Sequence, residues 1–445
     1  MWKKITGFLK TKKRAVVIGI DGVPCSLLHQ FIQDGTMPNT AQIVRQGTLS
    51  PMETSLPEIS SVAWTSFMTG CNPGRHGIYG FMDLKPNSYK MYFPSFNDIK
   101  APTLWDEMGK LGKRSIVINL PGTYPAREIN GVLSAGFVAI DLKKATYPES
   151  AYQYLNSIGY KIDVNTDKAR ESLDALLEDI NLTFQKRAQA LLHFFENEQW
   201  DLFIGVITET DRLHHFLWEA IEDPQHKYHG AFREFYRRMD KFIGQIYERC
   251  NHPQDAFMLV SDHGFTRIKH EVYLNNWLKE QGYLKFEKEP PASLDDLSEQ
   301  TYAFVLDPSR VYINLKGRFP KGRVNPGHEY DALRNKLMEE LSRWEVIKKV
   351  YKKEEIYRGK YLDRAPDLVL LSQDGYDLKG SIKKPTLMGN DVFTGMHTQT
   401  NAVCFINRKG LSLNNVNIID VAPTVMQLMD HPITSMGGRD LVDAA

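Results

Sequence analysis

The chain of 445 residues is sparing with cysteine, has no long apolar run and carries no surplus of either charge. Its four cysteines, Cys25, Cys71, Cys250 and Cys404, lie far apart and form no CxxC pair. That argues against a disulfide scaffold and a thiolate metal site, and fits a reducing compartment. No apolar run approaches the roughly 18 residues of a membrane-spanning helix. With 55 basic against 54 acidic residues, a net charge of +1, no general attraction to a nucleic acid polymer is expected. Internal repeats and low-complexity tracts are missing too, so a solenoid or a tail-like linker is not in view. What is present is an ordinary hydrophobic fraction of 42%. The length suits one large domain with insertions, or two domains.

Residues 1–14 (MWKKITGFLKTKKR) stand apart, with Lys3, Lys4, Lys10, Lys12, Lys13 and Arg14 and no acid. Trp2, Ile5, Phe8 and Leu9 fall on one helical face. The segment lacks the apolar stretch and cleavage site of a signal peptide. It reads as a solvated tail, or as a basic amphipathic arm that touches an anionic membrane surface through residues 1–13. The expected location is cytoplasmic, with weak peripheral contact at the inner face of the membrane as the further option.

Short apolar runs alternate with helical patterns, which predicts an α/β fold. Ala15–Ile20, Ser115–Leu120, Leu202–Ile207 and Ala256–Val260 read as core strands, with Asp367–Leu371 and Ala402–Ile406 as late ones. Apolar residues at 3–4 residue spacing predict one long helix over 168–197, and shorter ones over Phe232–Tyr247 and Tyr330–Leu341. Segments 286–294 and 317–327, with their prolines and glycines, read as loops. The expected organisation is a basic arm (1–14), a core formed by 15–265 and 396–441, and a cap or insertion over 266–395 that shapes the substrate pocket and supplies no ligand.

Seven residues read as one site around two metal ions: Asp21, Ser60, Asp211, His215, Asp262, His263 and His397. Asp21 and the Asp262-His263 pair end apolar strands, where open α/β sheets gather their ligands. Asp211 and His215 are four apart, which puts both on one face of a helix; His214 points about 100° away. Apolar neighbours Leu213, Phe216, Leu217 and Trp218 speak against a solvated surface pair. Ser60 falls at the start of a helix beginning near Ser61, where backbone N–H groups and the helix dipole favour an anion. It is a nucleophile candidate, although serine is also a common helix cap and Ser61 is a close rival. His397 reads as a loop histidine whose case rests on the others. Oxygen and imidazole donors suit zinc or manganese, and two such ions can clamp both ends of a phosphoryl displacement.

In order along the chain, VVIGIDG (16–22), SSVAWTSFMTGCNPGRHGIYGF (60–81), TETDRLHHFLW (208–218), VSDHGF (260–265), RAPDLVLL (364–371), GMHT (395–398) and IIDVAPTVMQLM (418–429) resemble the alkaline phosphatase superfamily. The resemblance is greatest to its type I phosphodiesterase/nucleotide pyrophosphatase branch, especially soluble prokaryotic members. It implies an alkaline-phosphatase-like three-layer sandwich, a central mostly parallel sheet with helices on both faces plus a cap. It implies one ion held by Asp21, Ser60, Asp262 and His263, and another held by Asp211, His215 and His397. The family nucleophile stands nine residues before the Thr of a TG pair, so Thr69-Gly70 points to Ser60 rather than Ser61. The implied cofactors are two divalent ions, zinc or else manganese. The implied partner is a small phosphate ester, either a nucleotide or a lipid- or glycan-linked diester.

Two departures bear on substrate. Where related nucleotide pyrophosphatases carry a phosphate-contacting Asn, this chain has Phe81; Arg75 and His76 stand nearby as substitutes or as a structural turn. Cys71–Arg75 fits the CxPxR pattern of sulfatases, but directly after the TG pair, while Trp64 stands where the sulfatase Arg would be. The expected activity is phosphodiester hydrolysis. A phosphomonoesterase or metal-dependent phosphomutase is the alternative, and a sulfatase or an inactive binding protein is remoter.

Overall fold

The computed structural model describes residues 13–442 apart from 251, 253 and 434. Eight strands form the central sheet. Their spatial order is Thr48–Met52, Ala402–Ile406, Ala256–Val260, Ala15–Ile20, Leu202–Ile207, Ser115–Leu120, Gly131–Ala135 and Thr146–Tyr147. The run from Ala256–Val260 to Gly131–Ala135 is parallel, and the pairs at both flanks are antiparallel. The inner strands are buried along their whole length, as parallel strands covered on both faces must be.

Alternation along Ala15–Ile20 sorts its side chains into two cores. Val16, Ile18 and Ile20 join helices Cys25–Gln33, Leu173–Asn197, Glu209–Glu222 and His229–Arg249. Ala15 and Val17 join helices Ser60–Thr69, Leu104–Lys110 and Val421–Leu428. The chain is therefore a three-layer α/β sandwich. Gly19 allows one close approach within it: a Cβ there would lie 2.7 Å from the Trp64 ring.

Among the described residues four smaller sheets lie outside the central one, the smallest being the antiparallel pair Asp83–Leu84 and Met91–Tyr92. Gly264–Arg267 and Gly395–Thr398 form an antiparallel ribbon. Tyr376–Lys379 and Met388–Gly389 flank His270–Tyr273. Ala303–Leu306, Arg310–Ile313, Leu368–Ser372 and Ile347–Lys352 form a four-stranded antiparallel sheet.

The structure corrects two expectations. The segment Asp367–Leu371, read as a late core strand, contributes Leu368–Ser372 to the four-stranded sheet instead. Its Leu368 and Leu370 face that sheet's own core, while Val369 and Leu371 meet Leu56 and Tyr79. A strand buried on both faces looks the same in either sheet, so its apolar run could not name its neighbours. The single helix over 168–197 is two, Lys168–Glu171 and Leu173–Asn197, parted at Ser172. Ser172 is extended (φ −168°, ψ 156°) and its hydroxyl accepts from Ala175 N–H, so it caps the second helix.

Of the basic arm, residues 1–12 lie outside the described residues, including the face of Trp2, Ile5, Phe8 and Leu9. Lys13 pairs with Asp430 and Arg14 with Asp255. Among the described residues, no helix is long and apolar enough to cross a membrane.

Candidate metal centre and active site

Three neighbouring parallel strands bring their carboxyl ends to one place. Ala15–Ile20 is followed by Asp21, and Ala256–Val260 is followed one residue later by Asp262-His263. Leu202–Ile207 leads into helix Glu209–Glu222, which carries Asp211 and His215. Gly22 turns the chain after Asp21 in a left-handed conformation (φ +65°) that glycine adopts without strain, and its N–H donates to Asp262 Oδ1 at 3.0 Å. His397 arrives on the ribbon Gly395–Thr398, in register with Phe265. It was expected in a loop; its place on a strand rests on pairing with a segment remote in sequence. Helix Ser60–Thr69 begins one residue earlier than expected, so Ser60 occupies its first turn.

All seven predicted residues come together, in two adjoining groups. In the first, Asp21, Asp262 and His263 place ligand atoms within 4.8 Å of one another. Ser60 Oγ lies 3.2 Å from His263 Nε2 and 3.4 Å from Asp21 Oδ1. In the second, His215 Nε2 is 3.4 Å and His397 Nε2 3.1 Å from Asp211 Oδ1, and the two nitrogens are 3.0 Å apart. The rings of His263 and His397 stack at 3.6 Å and join the groups.

The outer contacts set the chemistry of these histidines. His215 Nδ1 faces Gly395 O, His263 Nδ1 faces Gly264 O, and His397 Nδ1 faces Glu58 O, at 2.9–3.0 Å. A carbonyl only accepts, so each Nδ1 carries the proton, and a neutral ring then turns a lone pair inward from Nε2. His215 and His397 would thus oppose two lone pairs at 3.0 Å beside a carboxylate oxygen. Such a trio calls for a cation at its centre.

Burial makes the same demand of the first group. Asp21, Asp211 and Asp262 are all buried. Asp262 Oδ2 has no hydrogen-bond partner among the described residues, and burial pushes the Asp262 carboxyl up to about 7. Burial, with Asp262 and Asp211 nearby, also raises Asp21 well above the usual range. Burial drives His263 down to about 4, so it stays neutral and brings no compensating charge. Asp211 differs: burial raises it, but His215, His397 and Arg212 outweigh that and hold it well below the usual carboxylate range. Buried carboxylates without a counter-charge either take up protons or bind a cation. The oxygen and imidazole donor set fits a divalent ion of the zinc or manganese kind.

Ser61, the rival of Ser60, leaves its Oγ buried without a partner and lines a small cavity with Thr65, Gly122 and Phe137. His214 is turned away, between Gly22 O and the Tyr236 hydroxyl. His76 is buried against Ser66 and accepts from Ile78 N–H, and Arg75 donates to Ser435 O, so the pair forms a structural turn. Cys71 follows the far end of the ten-residue helix from Ser60, roughly 15 Å away at ~1.5 Å per residue.

Sequence reasoning missed several contributors. Trp64 Nε1 donates to Asp21 Oδ2 at 2.9 Å, although the sequence marked Trp64 only as a core residue standing where a sulfatase would carry Arg. Arg212 bridges Asp211 Oδ2 (2.8 Å) and Asp163 Oδ2 (2.7 Å). Asp307, Asp377, Lys379 and Phe393, all from 266–395, line a cleft of about 290 Å³ that also includes Phe81, His215 and His397. Only the adjacency of Arg212 to Asp211 left a trace in the sequence.

The fold and the gathered side chains define a class: an α/β protein with a serine-bearing helix end beside a site suited to divalent cations. Comparison with known proteins refines it. The sequence profile of the type I phosphodiesterase / nucleotide pyrophosphatase family matches residues 15–400. The chain belongs to that family, and with it to the phosphoric ester hydrolases of the alkaline phosphatase superfamily. Among solved structures, a phosphonoacetate hydrolase from Sinorhizobium meliloti in complex with phosphonoacetate is similar at a TM-score of 0.66 and 17% identity, covering 94% of this chain and 96% of that one. A murine ectonucleotide pyrophosphatase / phosphodiesterase in complex with AMP follows at 0.58 and 14%, covering 96% and 97%. The alkaline phosphatase PafA follows at 0.60 and 14%, covering 97% and 98%. These likenesses concern the fold. No curated protein matches the chain.

Proposed function

We propose that the protein is a two-metal phosphodiesterase that uses Ser60 as its nucleophile. The observation that carries this reading is the convergence of three imidazole Nε2 atoms and three buried carboxylates around one helix-terminal hydroxyl. Asp21, Ser60, Asp262 and His263 would hold one divalent ion, and Asp211, His215 and His397 the other. Zinc is the first choice for these donors and manganese the second. Bound ions would supply charge stabilisation to the phosphoryl oxygens and acidify the attacking hydroxyl and water.

The chain's own groups do the rest. The positive end of the dipole of helix Ser60–Thr69 favours negative charge developing on Ser60 Oγ. Trp64 fixes the Asp21 carboxylate, and the three backbone carbonyls fix the rings. Ser60 Oγ attacks phosphorus in line, and the bond to the departing ester oxygen breaks on the opposite side. Water then attacks phosphorus of the Ser60-linked phosphodiester from the vacated side, which releases the phosphate monoester and returns a proton to the serine oxygen. Residues 266–395 act as the cap: through Asp307, Asp377 and Lys379 they wall the cleft into which the ester group extends. The four cysteines are free thiols, which supports a reducing, cytoplasmic setting.

Elemental analysis of purified protein, with rates on bis-p-nitrophenyl phosphate, p-nitrophenyl phosphate and p-nitrophenyl sulfate, tests the reading. About two divalent ions per chain and preference for the diester are expected. A monoester preference would turn it to a phosphomonoesterase, and a sulfate ester preference would overturn it. Quenched turnover of a phosphate ester should add mass at Ser60, and Ser60→Ala protein that still gains that mass would refute the nucleophile.

A further inference from the structure

We infer that the ester group accommodated by this enzyme ends in a cationic amine, as in an amino-alcohol phosphate ester; the inference rests on the hydrolase reading above. The cleft of about 290 Å³ that opens on His215 and His397 is small, of a size for a head group. Its walls carry three carboxylates, Glu58, Asp307 and Asp377, against one ammonium, Lys379. That ammonium is committed: Lys379 Nζ lies 2.6 Å from Asp377 Oδ2. Asp307 is held in place by accepting from Gly380 N–H through Oδ1. Glu58 Oε2 is buried with no hydrogen-bond partner among the described residues, and burial pushes that carboxyl up to about 7, so it adds little charge. The cleft beyond the ligand groups therefore has negative charge to offer, chiefly at Asp307, and no free cation among the residues that line it.

Two half-buried rings complete it. Phe81 stands edge-on to Phe137 at 5.2 Å, and Phe393 rests on His215 at 4.8 Å. Aromatic faces with carboxylates beside them attract ammonium groups, quaternary ones included. The same lining repels an ester group with a second anionic end. A pyrophosphate-linked nucleotide would place its second phosphate against Asp307 and Asp377 with only the engaged Lys379 to meet it. An Asn at position 81 would favour phosphate oxygens; the Phe that stands there offers a ring instead.

The test pairs isosteric substrates that differ in one atom. p-Nitrophenylphosphocholine is compared with p-nitrophenyl 3,3-dimethylbutyl phosphate, in which carbon replaces the charged nitrogen. Phosphocholine and 3,3-dimethylbutyl phosphate form the same pair as monoesters. On metal-loaded wild-type enzyme the amine should have about a tenfold or greater advantage in kcat/KM. Asp307→Asn and, separately, Phe81→Ala should pull that ratio towards one. A wild-type ratio of one or less overturns the inference while leaving the hydrolase reading intact. So does a ratio that neither variant moves. Metal-loaded protein that cleaves none of the four esters, nor p-nitrophenyl phosphate, sinks the hydrolase reading and the inference with it.

Discussion

The two ligand groups touch through the stacked rings of His263 and His397, yet they meet the cost of buried charge in different ways. The group of Asp21, Asp262 and His263 sits at the strand ends with its side chains closed off from solvent, and among the described residues no Arg or Lys is bonded to its carboxylates. The group of Asp211, His215 and His397 is more open, with both of these imidazoles 16% exposed, and Arg212 lies against its carboxylate. The first group thus depends on an added cation or on protons. The second carries part of its compensation in the chain. In the two-ion site proposed above, the contrast in burial would favour one tightly enforced ion next to Ser60 and one more exchangeable ion facing the cleft.

Asp262→Asn attacks the first group and should have the largest effect. The amide keeps an oxygen for Gly22 N–H but loses the charge that holds the ion. Metal content should fall from two ions to one, and kcat/KM by roughly a thousandfold or more, as for loss of a transition-state charge partner. In metal-free protein the same substitution should raise the melting temperature at pH 8, because it removes an uncompensated buried carboxylate. If metal-free Asp262→Asn melts lower than metal-free wild type, the contrast between the groups is wrong.

Arg212→Met attacks the second group. It leaves Asp211 and Asp163 without their shared partner, and breaking a buried pair from one side costs about 3–5 kcal/mol. Denaturant melts of the metal-free protein measure this directly. Part of the loss should return on adding Zn²⁺, since the ion takes over the charge of Asp211. A full loss that metal does not touch would make Arg212 a fold element unconnected with the centre.

These residues also mark how far the sequence could be read. The five inner and flanking strands at 15–20, 115–120, 202–207, 256–260 and 402–406 were legible because each is a short apolar run bounded by polar or turn residues. The ligand types were legible because strand ends and an i, i+4 helical spacing are local features. Leu368–Ser372 was assigned to the wrong sheet, and His397 to a loop, because strand pairing depends on segments distant in the chain. Arg212 left no trace beyond its adjacency to Asp211, for a related reason. An Arg beside an Asp on a helix is commonplace, and only the arrival of Asp163 from another loop makes it a bridge. The cleft walls Asp307, Asp377 and Lys379 come from a region whose local pattern says nothing about where it folds back.

Metal uptake should separate the groups by pH. An ion entering the first group must displace the proton that Asp262 holds up to about 7. Its affinity should therefore fall as the pH drops below about 7, by up to about tenfold per pH unit. Asp211 stays ionised far lower, and burial also lowers His397, so the second group should retain its ion in that range. Competition with a chelator between pH 8 and pH 5.5 should show one pH-sensitive and one nearly flat site; two parallel curves would erase the distinction. The stability of the metal-free protein follows the same logic with care over sign. Asp262 rises from 3.8 unfolded to about 7 folded, so its share of stability is full below 3.8 and is lost as pH climbs through 7. His263 falls from 6.5 to about 4 and works in the opposite sense between those values. Above 6.5 only the loss from Asp262 is left of these two, and the metal-free protein should soften from there to above pH 7.

The smallest expected effect tests whether the first group is held rigidly from outside. Gly19 lets the Trp64 ring lie against the strand, and a Cβ there would come within 2.7 Å of it. Trp64 in turn donates to Asp21 Oδ2. Gly19→Ala must push the ring, at about 1–3 kcal/mol for overpacking a filled core. If the indole fixes the carboxylate, the variant should bind the first ion more weakly, while the second ion keeps its wild-type affinity. Trp64→Phe, which removes the donor without crowding the strand, should reproduce that selective weakening with less loss of stability. Equal weakening at both sites would mean that the strain spreads through the sheet, and that the tryptophan is there for packing alone.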